Sequence, residues 1–250
     1  HQFKRGNMNN FSNCFVSCVI LLSTVCSTSC APKEESPFPL SNVIKSITFD
    51  QKIIRQASGS DNWPVTWGDD DRIYTAFGDG WGWGMPHKVK LGMARVSGGP
   101  TNFSGEDLSY IGRGDGGLKA TGIIMIDGTL YMWTRRTGGE LWKSVNHGEA
   151  WSSTDIKMRQ ANGHFHALHF AQFGRDYSDT RDNYVYVYGT SSQTADGEIF
   201  LFRVPKDKLE NRDRYEFYTG LDSGKNPLWN SDIDLKKAII HDPGKARDAR

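Results

Sequence analysis

The 250-residue sequence predicts an all-β fold, a β-propeller of four-stranded blades. Three observations predict it. Helical periodicity is scarce, whereas short β-rich runs punctuated by Gly, Asp and Asn recur along the chain. An apolar run, a tight polar turn and an aromatic strand appear three times, as "WPVTWGDDDRIYTAFGD", "ATGIIMIDGTLYMWTRR" and "HALHFAQFGRDYSDTRDNYVYVYGTSS". Tyr74, Tyr131 and Tyr186 hold matching places in these segments, 57 and 55 residues apart, a spacing suited to a repeated blade. A β-sandwich would need that spacing to be accidental.

Residues 1–30 lie ahead of the repeats. In the segment opened by Met8, Phe15 to Val25 is a short, mainly apolar run, too short for a stable bilayer span and suited to the core of a secretory signal. Residues 1–7 read as over-extended translation, although Lys4 and Arg5 also suit a positive leader. "STSC", ending at Cys30, resembles a bacterial lipobox without the usual Leu at its first position. A lipid anchor at Cys30 is the preferred reading and plain cleavage the alternative; either exports the protein. Residues 31–45, with Ser36, Pro37 and Pro39, read as a tether and residues 46–250 as the propeller domain.

All four cysteines (Cys14, Cys18, Cys26, Cys30) fall in the signal segment. The domain is therefore expected to have no disulfide and no thiolate metal site, and to be held by core burial. The formal net charge is +1, from 30 basic and 29 acidic residues. Without a basic stripe, nucleic acid is not an expected partner. A carbohydrate polymer is expected, with membrane contact only through an anchor at Cys30, a monomeric chain and no cofactor.

The elements follow in order. The aromatic strand of each repeat leads to a third strand, "KLGMARVS", "GELWKSV" and "EIFLFRVP". A fourth, outer strand fits "LSYIG", "WSSTDIK" and "YEFYTG". "SVNHGEAW" resembles the Asp-box turn of sialidase-like propellers, with Asn146 in place of Asp. Such a turn joins the third and fourth strands of a blade: the polar side chain bonds the turn backbone, Gly148 supplies a positive φ and Trp151 packs between blades. "KKAIIHDPGKARDAR" reads as the opening strand and turn of a fourth blade. Because a propeller closes with at least four blades, the chain is expected to be a C-terminally truncated fragment of about three and a half.

"GSDNWPVTWGDDDRIYTAFGDGWGW", "LKATGIIMIDGTLYMW" and "LFRVPKDKLENRDRYEFYTGLDSGKNPLWNSDI" together resemble the bacterial domain of unknown function 4185 family from about Gly59 onwards. That resemblance implies a five-bladed propeller and a glycoside hydrolase that cleaves D-arabinan, the activity assigned to family members; fold transfers better than substrate.

In a propeller, residues just before each inner strand ring the mouth of a central funnel. Asp61 and Asn62 hold that place in blade one, Lys119 in blade two, and His164 and His166 in blade three. Five-bladed furanosidases of similar architecture place a catalytic Asp at the start of the first inner strand, which makes Asp61 the candidate general base or nucleophile. Its competing role is to cap the "SDNWP" turn. Asp79, in "GDGWGWG", is the candidate partner carboxylate or a sugar-hydroxyl acceptor, against an Asp-Gly turn. Trp81 and Trp83 alternate with glycines and share one face if the segment is extended; there they would stack on sugar rings, and otherwise pack between blades.

Lys119 is expected to contact a hydroxyl or lower a carboxylate pKa. His164 and His166 are expected to bond substrate, and His169 to pack. "HFHALH" lacks a third ligand for zinc, and Asp69, Asp70 and Asp71 read as a solvated turn ahead of a calcium site. Glycoside hydrolysis requires an acid and a second carboxylate, and Asp115 and Glu198 are the remaining candidate acids. The leading expectation is an exported glycoside hydrolase acting on a D-arabinan-like furanoside. A non-catalytic glycan-binding propeller is the alternative. A sialidase ranks third, because it needs an arginine triad and the adjacent Arg135 and Arg136 face opposite ways on a strand.

Overall fold

Fifteen strands make up the described chain: β1 (Val65–Trp67), β2 (Ile73–Gly80), β3 (Val89–Ser97), β4 (Ser104–Arg113), β5 (Lys119–Ile126), β6 (Thr129–Arg135), β7 (Glu140–Ser144), β8 (Ser152–Lys157), β9 (Arg159–Gln160), β10 (Gly163–Phe170), β11 (Tyr184–Ser191), β12 (Glu198–Pro205), β13 (Glu216–Leu221), β14 (Pro227–Asn230) and β15 (Ala238–His241). The computed structural model describes residues 41–135, 139–160, 163–191 and 197–241, with only the backbone of 159, 160, 163, 164, 166 and 191. The signal segment with Cys30, the tether as far as residue 40, Arg136 and residues 242–250 lie outside the described residues. Residues 41–51 form a separate short unit without strand or helix, in which Ser41 Oγ accepts the N–H groups of Val43 and Ile44 at 3.1 and 2.9 Å.

Residues 52–241 hold three successive antiparallel sheets of the kind that form propeller blades. The first runs β1-β2-β3-β4 and the second β5-β6-β7-β8. In the third, β10, β11, β12 and β13 repeat the same meander, β9 pairs with β10, and β14 extends the edge beyond β13. The four-strand repeat expected from the sequence is present in each.

Alternation decides what each face covers. On β5, Ile123 and Met125 join Tyr74, Leu91, Met93 and Met132 in a cluster between sheets one and two. Ile124 and Ile126, pointing the opposite way, join Trp133, Val185, Val187, Phe202 and Phe217 between sheets two and three. Every residue of β5 is buried, as a strand covered on both faces requires.

The Asp-box-like turn forms between β7 and β8 as its residues dictate. Gly148 has φ +88°. Asn146 Oδ1 accepts the Ser144 hydroxyl at 2.9 Å and the Ala150 N–H at 3.0 Å, and Trp151 Nε1 donates to the Gly148 carbonyl at 3.1 Å. Ser109 of β4 donates to that same carbonyl at 2.6 Å, docking the turn onto sheet one.

Side chains tie the inner strands together. The Thr121 hydroxyl on β5 donates to the Leu168 carbonyl (3.0 Å) and accepts its N–H (3.1 Å). Thr66 on β1 donates to Gln172 (3.0 Å) and accepts the Met125 N–H (3.0 Å), while Gln172 donates to the Ile123 carbonyl (2.7 Å). These bonds run along the inner strands β1, β5 and β10, while Asp61 ahead of β1 and Lys119 at the first position of β5 meet over Gly78 at one end of the sheets. That end is called the mouth here, and the end carrying the β1–β2 hairpin and the Asp-box-like turn is the turn end.

Two expectations are corrected. The strand expected to open a fourth blade is β15, and it pairs with β12. The reason lies in β13, which pairs only with Phe202 and Arg203 and leaves the Glu198–Phe200 half of β12 with a free edge; β15 fills it, with Ile240 opposite Ile199. No fourth sheet occurs among the described residues. His169, expected to pack, keeps an exposed surface on β10, although desolvation by the chain around it outweighs a hydrogen bond with the Thr121 backbone and holds its imidazole pKa below the usual value.

Candidate functional site

Asp61 is held at the mouth by backbone. Its N–H donates to the Gly78 carbonyl at 2.9 Å, and the Gly78 N–H donates back at 2.7 Å, forming an isolated bridge ahead of β1. Asn62, at φ +54°, turns its amide onto the Asp61 carboxylate, donating to Oδ1 at 2.6 Å.

The glycines of "GDG" make this approach feasible. A Cβ at Gly80 would stand 2.0 Å from Ser60 Oγ. One at Gly78 would stand 2.9 Å from Lys119 Cδ and 3.2 Å from both Lys119 Nζ and Asp61 Oδ1. The glycines therefore admit the Ser60–Asp61 segment and the lysine against β2, a close approach of chain to chain.

Asp79 lies within β2, at φ +46°, and not in a loop or an Asp-Gly turn. Its Oδ1 accepts Lys119 Nζ at 2.6 Å and the Gly116 N–H at 2.7 Å. Burial alone would raise this carboxyl, but the Lys119 ammonium and the Gly116 amide outweigh it and hold Asp79 below the usual carboxylate value. Lys119 is 3% exposed. Besides Asp79 it donates to the carbonyls of Lys90 at 2.5 Å and Gly116 at 3.2 Å. An ammonium has three N–H groups, and all three are engaged, so of the two roles expected for Lys119 the structure shows the lowering of a carboxylate pKa and not contact with a hydroxyl.

The two tryptophans do not share a face. Gly82 takes φ +55° and breaks the extended run that alternation requires. Trp81 is 46% exposed, with Lys88 Nζ 5.6 Å from its ring centroid. Trp83 turns inward: its ring lies over Gly105, meets Trp63 edge-on at 5.2 Å and donates to Gln56 at 3.2 Å. It is packing, which corrects its assignment as a sugar platform.

Position 119 opens β5, and the Thr121–Leu168 bonds bring β10 alongside, so the backbone of His164 and His166 runs at the same end of the sheets. Their side chains lie outside the described residues. Asp115 stands in the loop before β5, ion-paired with Lys88, and Glu198 opens β12 with its Oε1 3.6 Å from His241 Nδ1. Sequence reasoning missed Lys88, Gly116 and Asp107. Asp107 on β4 accepts the N–H groups of Trp83 and Gly84 at 3.1 and 2.8 Å and so fixes the Trp81 loop.

At the turn end each of the three consecutive aspartates has its own partner. Asp69 bonds His147 at 2.8 Å, Asp70 accepts Arg72 and the Tyr74 hydroxyl at 2.9 Å each, and Asp71 accepts Trp67 Nε1 at 2.9 Å. A cavity of about 190 Å³ opens there beside Asp127, Tyr131, Lys206 and Glu210. Its polar groups pair with one another, Lys206 with Asp127 at 2.8 Å and Tyr131 with Glu210 at 3.2 Å. Among the described residues no cluster of three His, Cys, Asp or Glu side chains is placed to hold a metal.

The family profile described as a domain of unknown function, DUF4185, matches residues 113–245. The chain belongs to this family. The match takes in Lys119, His164 and His166, whereas Asp61, Asp79 and Trp81 precede it. Comparison with curated proteins finds no match. Among solved structures, the chain is similar to a presumptive hydrolase from Bacteroides ovatus at 14% identity, with TM-score 0.43, over 71% of this chain and 55% of that one. The chain thus spans about half the length of that structure.

Proposed function

We propose that the protein is an exported glycoside hydrolase acting on a D-arabinan-like furanoside polysaccharide, with Asp61 and Asp79 as the working carboxylates. One observation carries this reading: Asp61 and the ammonium that binds Asp79 meet over Gly78. Asp61 Oδ1 and Lys119 Nζ each approach the Gly78 side-chain position to 3.2 Å, and Asp79 Oδ1 is 2.6 Å from that same ammonium. These contacts cap the Asp61 Oδ1–Asp79 Oδ1 gap at about 9 Å, under the roughly 9.5 Å upper limit of glycosidase carboxylate pairs. Asn62 fixes Asp61, and the exposed ring of Trp81, which lies against Gly59 and near Lys88, is the proposed platform for the face of a sugar. His164 and His166 are proposed substrate ligands on the neighbouring inner strand. Export with a lipid anchor at Cys30, suggested by the apolar run of residues 15–25 and by "STSC", and a monomeric state belong to the same proposal, in which only the choice of arabinan rests on the family resemblance.

Incubation of the full chain with D-arabinan tests it. Release of reducing ends, lost in Asp61→Asn without loss of folding, is expected; no release from any furanoside polymer would contradict the reading. A non-catalytic glycan-binding module is the second reading, favoured by the ion pairing of both Asp79 and Asp115. Glycan binding without turnover selects it.

A further inference from the structure

Lys119 makes a geometric commitment that the hydrolase reading does not by itself require. Its stem enters from the first position of β5, passes over Gly78 and ends in a socket closed by Asp79, the Lys90 carbonyl and the Gly116 carbonyl. None of its three donors is left for substrate. Only one Asp79 oxygen, Oδ1, accepts both the ammonium and the Gly116 N–H, while the carboxylate keeps 29% of its surface open. The residue is anchored on one side and available on the other.

Resting on the proposed function, we infer that Lys119 is a positioning residue that fixes Asp79 as the ionised partner, the base or nucleophile, and leaves the proton-donor role to Asp61. A proton donor must carry its proton in the Michaelis complex, and a carboxylate locked to a buried ammonium is the poorer choice. The charged groups around the socket are few. Asp61 faces it from ahead of β1, Lys88 from ahead of β3 and Asp115 from ahead of β5, the last two paired with each other; Arg135 sits opposite Lys119 in the β5–β6 register. The lowered pKa of Asp79 agrees with this arrangement. The division of labour reverses the one read from sequence, where Asp61 was the base or nucleophile.

The test follows the Asp79 carboxyl itself, by NMR titration of the ¹³C-aspartate-labelled full chain, with Asp79→Asn to assign the signal. In the wild type the midpoint is expected below 3.8. In Lys119→Met it should rise by about 1–3 pH units, the size of an opposite-charge effect, and the acid limb of kcat/KM should move with it. Lys119→Arg, which keeps the charge, should hold the limb near its wild-type position.

Role assignment is read from leaving-group dependence. Asp61→Asn should lose polymer hydrolysis yet keep turnover of an aryl furanoside whose leaving group needs no proton, and Asp79→Asn should lose both. Should Lys119→Met fail to fold, the wild-type midpoint and the two aspartate variants still decide. A wild-type midpoint at or above 3.8, an acid limb that ignores a shifted midpoint, or an Asp61→Asn variant dead on the aryl substrate would overturn the inference. A low midpoint in a chain that hydrolyses no furanoside removes the hydrolase reading and the base role with it, leaving the clamp, so the two failures are distinguishable.

Discussion

At the mouth of the sheets, Asp61 lies over Gly78 beside the buried Lys119 ammonium that anchors Asp79. At the turn end, Asp69, Asp70 and Asp71 stand side by side in sequence yet engage separate groups, His147, the Arg72–Tyr74 pair and Trp67. Both regions combine Asp, Gly and Trp. The difference lies in what the carboxylates converge on. Partners at the turn end close a hairpin and dock one sheet on the next, so these three carboxylates are satisfied within the protein. At the mouth Lys119 is buried, while the Asp79 carboxylate it anchors keeps 29% of its surface exposed among the described residues. Composition alone does not separate a turn from a site; convergence does.

The comparison would break first at Asp61. Asp61→Asn should lower polymer hydrolysis by about 10²–10⁴-fold, the usual contribution of a proton-transfer group, with an unchanged thermal unfolding curve. Trp83→Ala should instead cost about 3 kcal/mol of stability, because it empties the contacts with Trp63 and Gly105; denaturant unfolding checks this, and kcat per folded molecule should hold. Asn146→Ala, at the turn end, removes the acceptor of two bonds and should cost about 1–3 kcal/mol with no kinetic effect. Trp81→Ala should act the opposite way, raising KM roughly three- to tenfold, as for an aromatic contact worth about 0.5–1.5 kcal/mol, while leaving stability nearly untouched.

The smallest effect is in pH dependence. The folded-state pKa of Asp79 is depressed, so its stabilisation is complete above the unfolded value of 3.8 and is lost as pH falls through the lower folded value. Asp79→Asn should therefore flatten the stability loss on acidification below about pH 4, as followed by acid-unfolding fluorescence.

Much of the fold was legible because its signals are local. The repeated tyrosines mark the second strand of each sheet, and "SVNHGEAW" contains its own turn chemistry in Ser144, Asn146 and Gly148. The placement of β15 was not legible, since it depends on which edge β13 leaves free. At the mouth, Asp61 and Asp79 could be picked out from residue type and position. The burial of Lys119 could not, because its bond to Asp79 spans 40 residues, and that of Asp107 to the Trp81 loop spans 24. Trp81 and Trp83 were misread as equivalent because the positive φ at Gly82, which sends their rings apart, leaves no trace in the alternation of letters.

The most direct measurement of the central claim is chemical-shift mapping of Asp61→Asn titrated with a D-arabinan oligosaccharide. Convergence at the mouth requires perturbations centred on Gly78, Asp79, Trp81 and Gly116, with the turn-end amides of Asp69, Asn146 and Gly148 unmoved. Perturbations centred on those turn-end amides, with the mouth silent, would contradict it.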